Sequence, residues 1–170
     1  MTTERILTLI RHAKSSWEDA KLRDFDRPLN ERGQQDAPEM ARRMAARGER
    51  PDHFLASSAR RARETALILA QGVGFPEGDI HFERDLYLAD SQQLLSTIQR
   101  LPDTSQNAWL VGHNPDLTEL ANLLAGPQTD NLPTCAVFQM AFEAGSWRDV
   151  KPETGQLRVY DTPKAPWQAT

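Results

Sequence analysis

Cysteine is almost missing: Cys135 is the only one in 170 residues, so no disulfide can close within the chain. That fits a reducing compartment, and a cytoplasmic location is expected. Cys135 also fails as a nucleophile of the tyrosine-phosphatase kind, which needs an arginine six positions on, where this chain has Ala141. It reads as a small buried residue. Long apolar runs are missing too. No stretch approaches the roughly 18 residues of a membrane span, and Met1-Thr2-Thr3-Glu4 has no signal-peptide character, so no membrane association is expected. Nor is positive charge in excess. Lys and Arg number 20 against 24 Asp and Glu, a net charge of −4, which speaks against a nucleic-acid partner. An acidic chain that handles an anion must gather its cations locally. Arg11, Lys14, Arg60, Arg61 and Arg63 are the candidates, against the plainer reading of a solvated basic surface. There is no internal repeat and no low-complexity segment. What remains is ordinary globular composition, 39% apolar and 26% charged. At about 150 residues per domain this is one domain, 1–160, with an extended, poorly ordered tail at 161–170 marked by Pro163 and Pro166. A monomer is expected.

Strand and helix patterns alternate, which predicts a three-layer α/β/α fold with a mostly parallel central sheet. The first strand is Arg5 to Ile10. Asn30 caps a helix carrying Ala37, Met40, Ala41, Met44 and Ala45 at helical spacing, with Gly48 at its end and a kink expected at Pro38. His53 to Ala56 forms a short strand, Ser57-Ser58 an N-cap, and a helix then runs to Gly72. Ile80 to Glu83 is the third strand. Asp90-Ser91-Gln92-Gln93 has capping-box character and opens the helix of Leu94, Leu95 and Ile98. Ala108 to Gly112 is again strand, and Asn114-Pro115-Asp116 opens a helix with Leu117, Leu120, Ala121 and Leu124 on one face, closed by Gly126-Pro127. Ala136 to Phe142 and Leu157 to Tyr160 can pair as a hairpin.

Two of these strands end in histidine. Arg11-His12 follows Ile6 to Ile10, and His113 follows Val111-Gly112. Ligands of open α/β sheets bind outside the carboxyl ends of strands, so the pair points to substrate, although either histidine alone reads equally as a packed one. Neutral imidazole is a competent nucleophile toward phosphorus, and the transferring phosphoryl group needs cations and N–H donors fixed around its oxygens. Arg11 and His12 point oppositely if the strand continues, so they share a ligand only where it bends. The helix opening at Ser57 to Thr65 adds Arg60, Arg61 and Arg63 near free N–H groups. Arg60 and Glu64, four apart, pair on the solvent face, and Arg63 reads the same way. His53 and His81 read as structural or exposed.

These residues form an ordered set: Arg11-His12-Ala13-Lys14-Ser15-Ser16-Trp17, Asp26-Arg27-Pro28-Leu29-Asn30-Glu31-Arg32-Gly33, Ser57 to Thr65, Val111-Gly112-His113-Asn114-Pro115 and Leu132-Pro133-Thr134. The set resembles the histidine phosphatase superfamily, a phosphoglycerate mutase-like fold, and most closely its small SixA-type phosphohistidine phosphatases. The resemblance implies that His12 accepts the phosphoryl group, that Arg11 and Arg61 clamp it, and that His113 stabilises its charge. Lys14 and Ser15 line the entrance by the same reasoning, with a solvated Lys14 as the alternative. It implies no metal and no cofactor, and a phosphohistidine-bearing partner such as a phosphorelay or phosphotransfer domain. Two departures stand out. The usual Gly at the third position is Ala13, and the glutamate that serves as general acid in mutases and many phosphomonoesterases has no counterpart. Asp85, Tyr87 and Asp90 are the only candidates, and Asp90 is already a helix cap. A phosphorylated imidazole leaves as neutral imidazole once its ring is protonated, so a missing acid favours phosphohistidine. The alternatives are a small-molecule phosphomonoesterase or mutase of the same superfamily, a non-catalytic phosphate-binding module, and a metal hydrolase using His12 and His113.

Overall fold

In the computed structural model, residues 3–168 are described. Six strands make one sheet: β1 (Glu4–Arg11), β2 (His53–Ser57), β3 (His81–Glu83), β4 (Asn107–Gly112), β5 (Val137–Glu143) and β6 (Gln156–Asp161). Their order is β3-β2-β4-β1-β5-β6. The first four run parallel, and β5 is antiparallel to β1 and to β6, so the expected hairpin of the last two strands forms. Four helices cover the sheet: α1 (Glu31–Ala46), α2 (Arg60–Val73), α3 (Ser91–Gln99) and α4 (Asp116–Ala125).

The two-residue period of the strands sorts the core into two halves. Leu7, Leu9, Leu55, Leu110 and Phe138 pack with Leu94, Ile98, Leu117 and Leu120 of α3 and α4. Ile10, Phe54, Trp109, Val111 and Val137 pack with Met40, Met44, Ala66 and Leu69 of α1 and α2. Strands buried on both faces need near-continuous apolar runs, which is how β1 and β4 read. The architecture is therefore the expected three-layer α/β/α with a mostly parallel sheet. None of the described helices is long and apolar enough to cross a membrane.

Asn30 caps α1 by accepting from the Gly33 N–H, and Asp90 and Gln93 complete a capping box on α3. Pro38 lies inside an α1 that continues to Ala46. Three expectations need correction. The N-cap of α2 is Ala59, with no side-chain cap, because Ser57 Oγ turns toward His113 while Ser58 Oγ is buried without a partner. That helix also runs past Gly72 to Gly74, whose φ of 76° supplies the left-handed closure. Finally, the segment from Asp161 is not a loose tail. Asp161 is the last residue of β6, fully buried, and held by Arg43 and Arg47 at 3.0 and 2.8 Å. The last positions of that segment, Ala169 and Thr170, lie outside the described residues, as do Met1 and Thr2.

Candidate active site

Parallel pairing sets Arg11 opposite Gly112, so the residues that follow, His12 and His113, emerge side by side at the carboxyl ends of neighbouring strands. Their ring centroids are 5.1 Å apart. Ser57, the last residue of β2, stands on the other side of β4. The conflict of direction between Arg11 and His12 is resolved by the strand ending at Arg11.

His12 is 7% exposed, and its Nδ1 lies 2.7 Å from the Ala13 carbonyl. A carbonyl only accepts, so Nδ1 carries the proton and Nε2 is left with the lone pair. Burial pushes the His12 pKa down to about 3, against the pull of the Ala13 carbonyl and with help from His113, Arg61 and Arg11. The ring is neutral at pH 7 and can attack. Ala13 fits without a gap where the family more often has Gly: it is fully buried, and its N–H donates to Thr65 Oγ1 at 3.0 Å.

His113 is fixed by a second relay. Ser57 Oγ accepts the Ala59 N–H at 3.2 Å and shares a hydrogen bond with His113 Nε2 at 2.8 Å. The other ring nitrogen, Nδ1, is buried with no partner. Burial, then Arg61, lowers the His113 pKa to about 4, while Asp24 opposes the shift. Arg11 Nε and Arg61 Nε are also buried and unpartnered. An unsatisfied buried donor costs about 1–3 kcal/mol, so two arginine N–H groups left without partners near His12 mark a place suited to an anion. The two arginines sit close enough that Arg61, after burial, lowers the Arg11 pKa.

Both arginines are oriented by acceptors behind them. Arg11 Nη1 donates to the Leu132 carbonyl at 2.9 Å, and the Asn114 amide donates to the same oxygen. Arg61 donates to the Asp24 carbonyl at 2.7 Å and to Asp24 Oδ2 at 3.0 Å. Asp24 also accepts from Arg27 Nε and, at 2.5 Å, from the Tyr87 hydroxyl. Burial works against the Asp24 charge, but hydrogen bonds from Tyr87, Arg61 and Arg27 outweigh it and hold the carboxyl at about 2. Arg27, itself buried, donates to Ser15 Oγ at 2.7 Å and stacks its guanidinium 3.5 Å from the Trp17 ring. Arg11, His12, Lys14, Ser15, Trp17, Arg27, Asn114 and Thr134 line a cleft of about 440 Å3.

His12, Arg11, Arg61 and His113 are thus brought together, with Lys14 exposed and Ser15 buried on the cleft wall. Arg60 pairs with Glu64 at 3.5 Å on the surface, whereas Arg63 lies over the Phe82 ring instead of on a carboxylate. Of the three acid candidates, Asp85 lines cavities with Arg100 that do not include His12, and Asp90 is spent on its cap. Tyr87 alone reaches the site, its ring 5.6 Å from that of His113. Burial, then the bond to Asp24, raises its pKa. His53 and His81 stack on each other at 4.7 Å, away from this cleft. Among the described residues no group of three or more His, Cys, Asp or Glu side chains is arranged to hold a metal. Sequence reasoning gave no part in the site to Arg27 or Asp24, and read Ser57 and Asn114 only as residues that open helices. The first lies in a quoted motif, and Asp24 stands three residues before it, the spacing of a local ion pair.

Comparison with known proteins agrees with this geometry. Residues 7–87 match the model of the histidine phosphatase superfamily, branch 1. An uncharacterised chloroplast protein of Arabidopsis thaliana is 36% identical over 85% of this chain and 70% of its own length. A structure provisionally designated phosphohistidine phosphatase SixA from Agrobacterium tumefaciens superposes with a TM-score of 0.80 at 30% identity, covering 94% of this chain and 98% of that one. A mycobacterial glucosyl-3-phosphoglycerate phosphatase shares the fold at 16% identity and a TM-score of 0.61, over 99% and 100% of the two chains. The chain therefore belongs to the histidine phosphatase superfamily, as a SixA-like, histidine-based phosphatase.

Proposed function

We propose that this chain removes phosphate from phosphohistidine on a protein. The observation that carries the reading is the neutral His12 set beside Arg11, Arg61 and His113, while Asp24, the carboxylate bound to Arg61, is held ionised. In the first step His12 Nε2 attacks phosphorus, the N–P bond of the substrate breaks, and the substrate's imidazole, protonated beforehand on the ring nitrogen that does not bear phosphorus, departs as a neutral ring. Arg11, Arg61 and His113 meet the three phosphoryl oxygens, and the Ala13 carbonyl steadies the positive charge that develops on His12. Water then attacks phospho-His12, releasing inorganic phosphate and returning His12 to its neutral form.

An alkoxide leaving group would need a proton, and the neutral O–H at the site, Tyr87, is committed to an ionised Asp24. This tells against sugar phosphates as the main substrates. The cleft also carries Trp17, 76% exposed, on its lip, a surface suited to another protein. The test is turnover of a phosphohistidine protein against small phosphate esters in the presence of chelator. A preference for phosphohistidine supports the reading, and an equal or better rate on esters overturns it.

A further inference from the structure

Lys14 and Thr134 line the catalytic cleft and also a second cavity of about 220 Å3. Its remaining walls are Arg32, Asp36, Pro133, Thr162, Pro163 and Lys164. Asp36 is neutralised by Arg32 at 3.1 Å, one helical turn away. Neither Lys14 nor Lys164 has a carboxylate partner among the described residues, so the cavity is left with two free ammonium groups on a chain of net charge −4.

Lys164 is held there by machinery the reaction does not use. Thr162 and Ala165 exchange backbone hydrogen bonds that close a tight turn with Pro163 and Lys164 at its tip. Arg43 donates to the Thr162 and Pro163 carbonyls at 2.9 and 3.1 Å. Below the turn, fully buried Asp161 takes both Arg43 and Arg47 and the Trp167 N–H. A buried ion cluster of this kind adds little net stability over an apolar one, so its effect lies in where it places the chain. The turn it fixes presents Lys164 to a cavity that shares a wall with the active site.

A volume of 220 Å3 is below the roughly 300–1,000 Å3 of small-molecule pockets and fits one side chain. Resting on the phosphohistidine-protein reading, we propose that this cavity binds an acidic side chain which the substrate protein presents beside its phosphohistidine. The contact selects among phosphohistidine proteins and adds nothing to chemistry on small phosphoramidates.

The experiment measures kcat/KM for the wild type, Lys164→Gln and Lys164→Glu. Its substrates are two phosphohistidine peptides, one with acidic flanking residues and one with those residues as Gln, together with phosphoramidate and 3-phosphoglycerate. The expected loss on the acidic peptide is roughly threefold for Gln and roughly tenfold for Glu, the scale of one exposed ion pair made and then reversed. It disappears on the Gln peptide and on phosphoramidate, and shrinks as salt is added. Equal losses on both peptides, no loss on either, or a loss confined to 3-phosphoglycerate would overturn the proposal. If the wild type turned over neither peptide, the phosphohistidine reading would itself fail, an outcome distinct from activity that ignores Lys164.

Discussion

His12 is restrained in two ways, the Ala13 carbonyl fixing its tautomer and burial keeping it neutral, and in the proposed mechanism the arginines hold the anion it attacks. His12→Ala should therefore abolish turnover, while Arg61→Ala or His113→Ala should cost on the order of 10²–10³ in kcat, the usual loss for one charge-stabilising donor. Full activity in either variant would remove it from the site. Ser57→Ala should lower kcat less, by about tenfold, since it frees the His113 tautomer while leaving the ring in place. The histidine pKa values of about 3 and 4 also predict a titration result. In nuclear magnetic resonance spectra of the free enzyme, His12 and His113 stay neutral from pH 8 to pH 5, where exposed His would be largely protonated. Protonation of either near pH 6.5 would contradict the burial argument. The two histidines were readable from strand-end position alone. Arg27 and Asp24 were not: their own pairing is local, but the contacts that bring them to the site, with Ser15 and Arg61, are set by chain folding.

Each site residue leans on an element whose own sequence explains it. Asn30 N–H donates to the Lys14 carbonyl at 2.9 Å, so the cap of α1 braces the loop after His12. A Cβ on Gly33 would meet that same Lys14 carbonyl at 2.2 Å, which leaves no room for any side chain. Gly33→Ala is expected to destabilise by about 1–3 kcal/mol, the range for overpacking, and to lower kcat by displacing Lys14 and Ser15. Unchanged urea unfolding and activity would show that the loop yields freely. The helices and strands themselves followed from apolar period and capping residues. The N-cap of α2 did not, because Ser57 is drawn into the site by His113, a contact that local sequence does not display. The C-terminal segment also misled: its prolines read as a loose tail, but Arg43 and Arg47, more than a hundred positions earlier, pin it.

For the whole molecule, the parallel run β3-β2-β4-β1 gathers Ser57, His113 and His12 at the carboxyl ends of its strands. Keeping two histidines neutral there has a cost in acid. Between pH 6.5 and about 4 the unfolded chain takes up protons on both that the folded chain refuses, so stability falls as pH falls. The loss is at most ~1.4 kcal/mol per pH unit for each histidine. Urea midpoints at pH 7, 6 and 5 should drop in the wild type and drop less in a His12→Asn, His113→Asn double variant; parallel declines would contradict it. Alternating strands and helices made the layered fold legible, whereas the second cavity beside the site depends on distant segments meeting and left no trace in composition.

The most direct test of the central claim is phosphate release by the purified protein, in chelator, from a phosphohistidine-bearing protein and from small phosphate esters, with His12→Ala alongside. The account predicts faster release from phosphohistidine, lost completely with His12. Comparable release from esters, or release that survives His12→Ala, would contradict it.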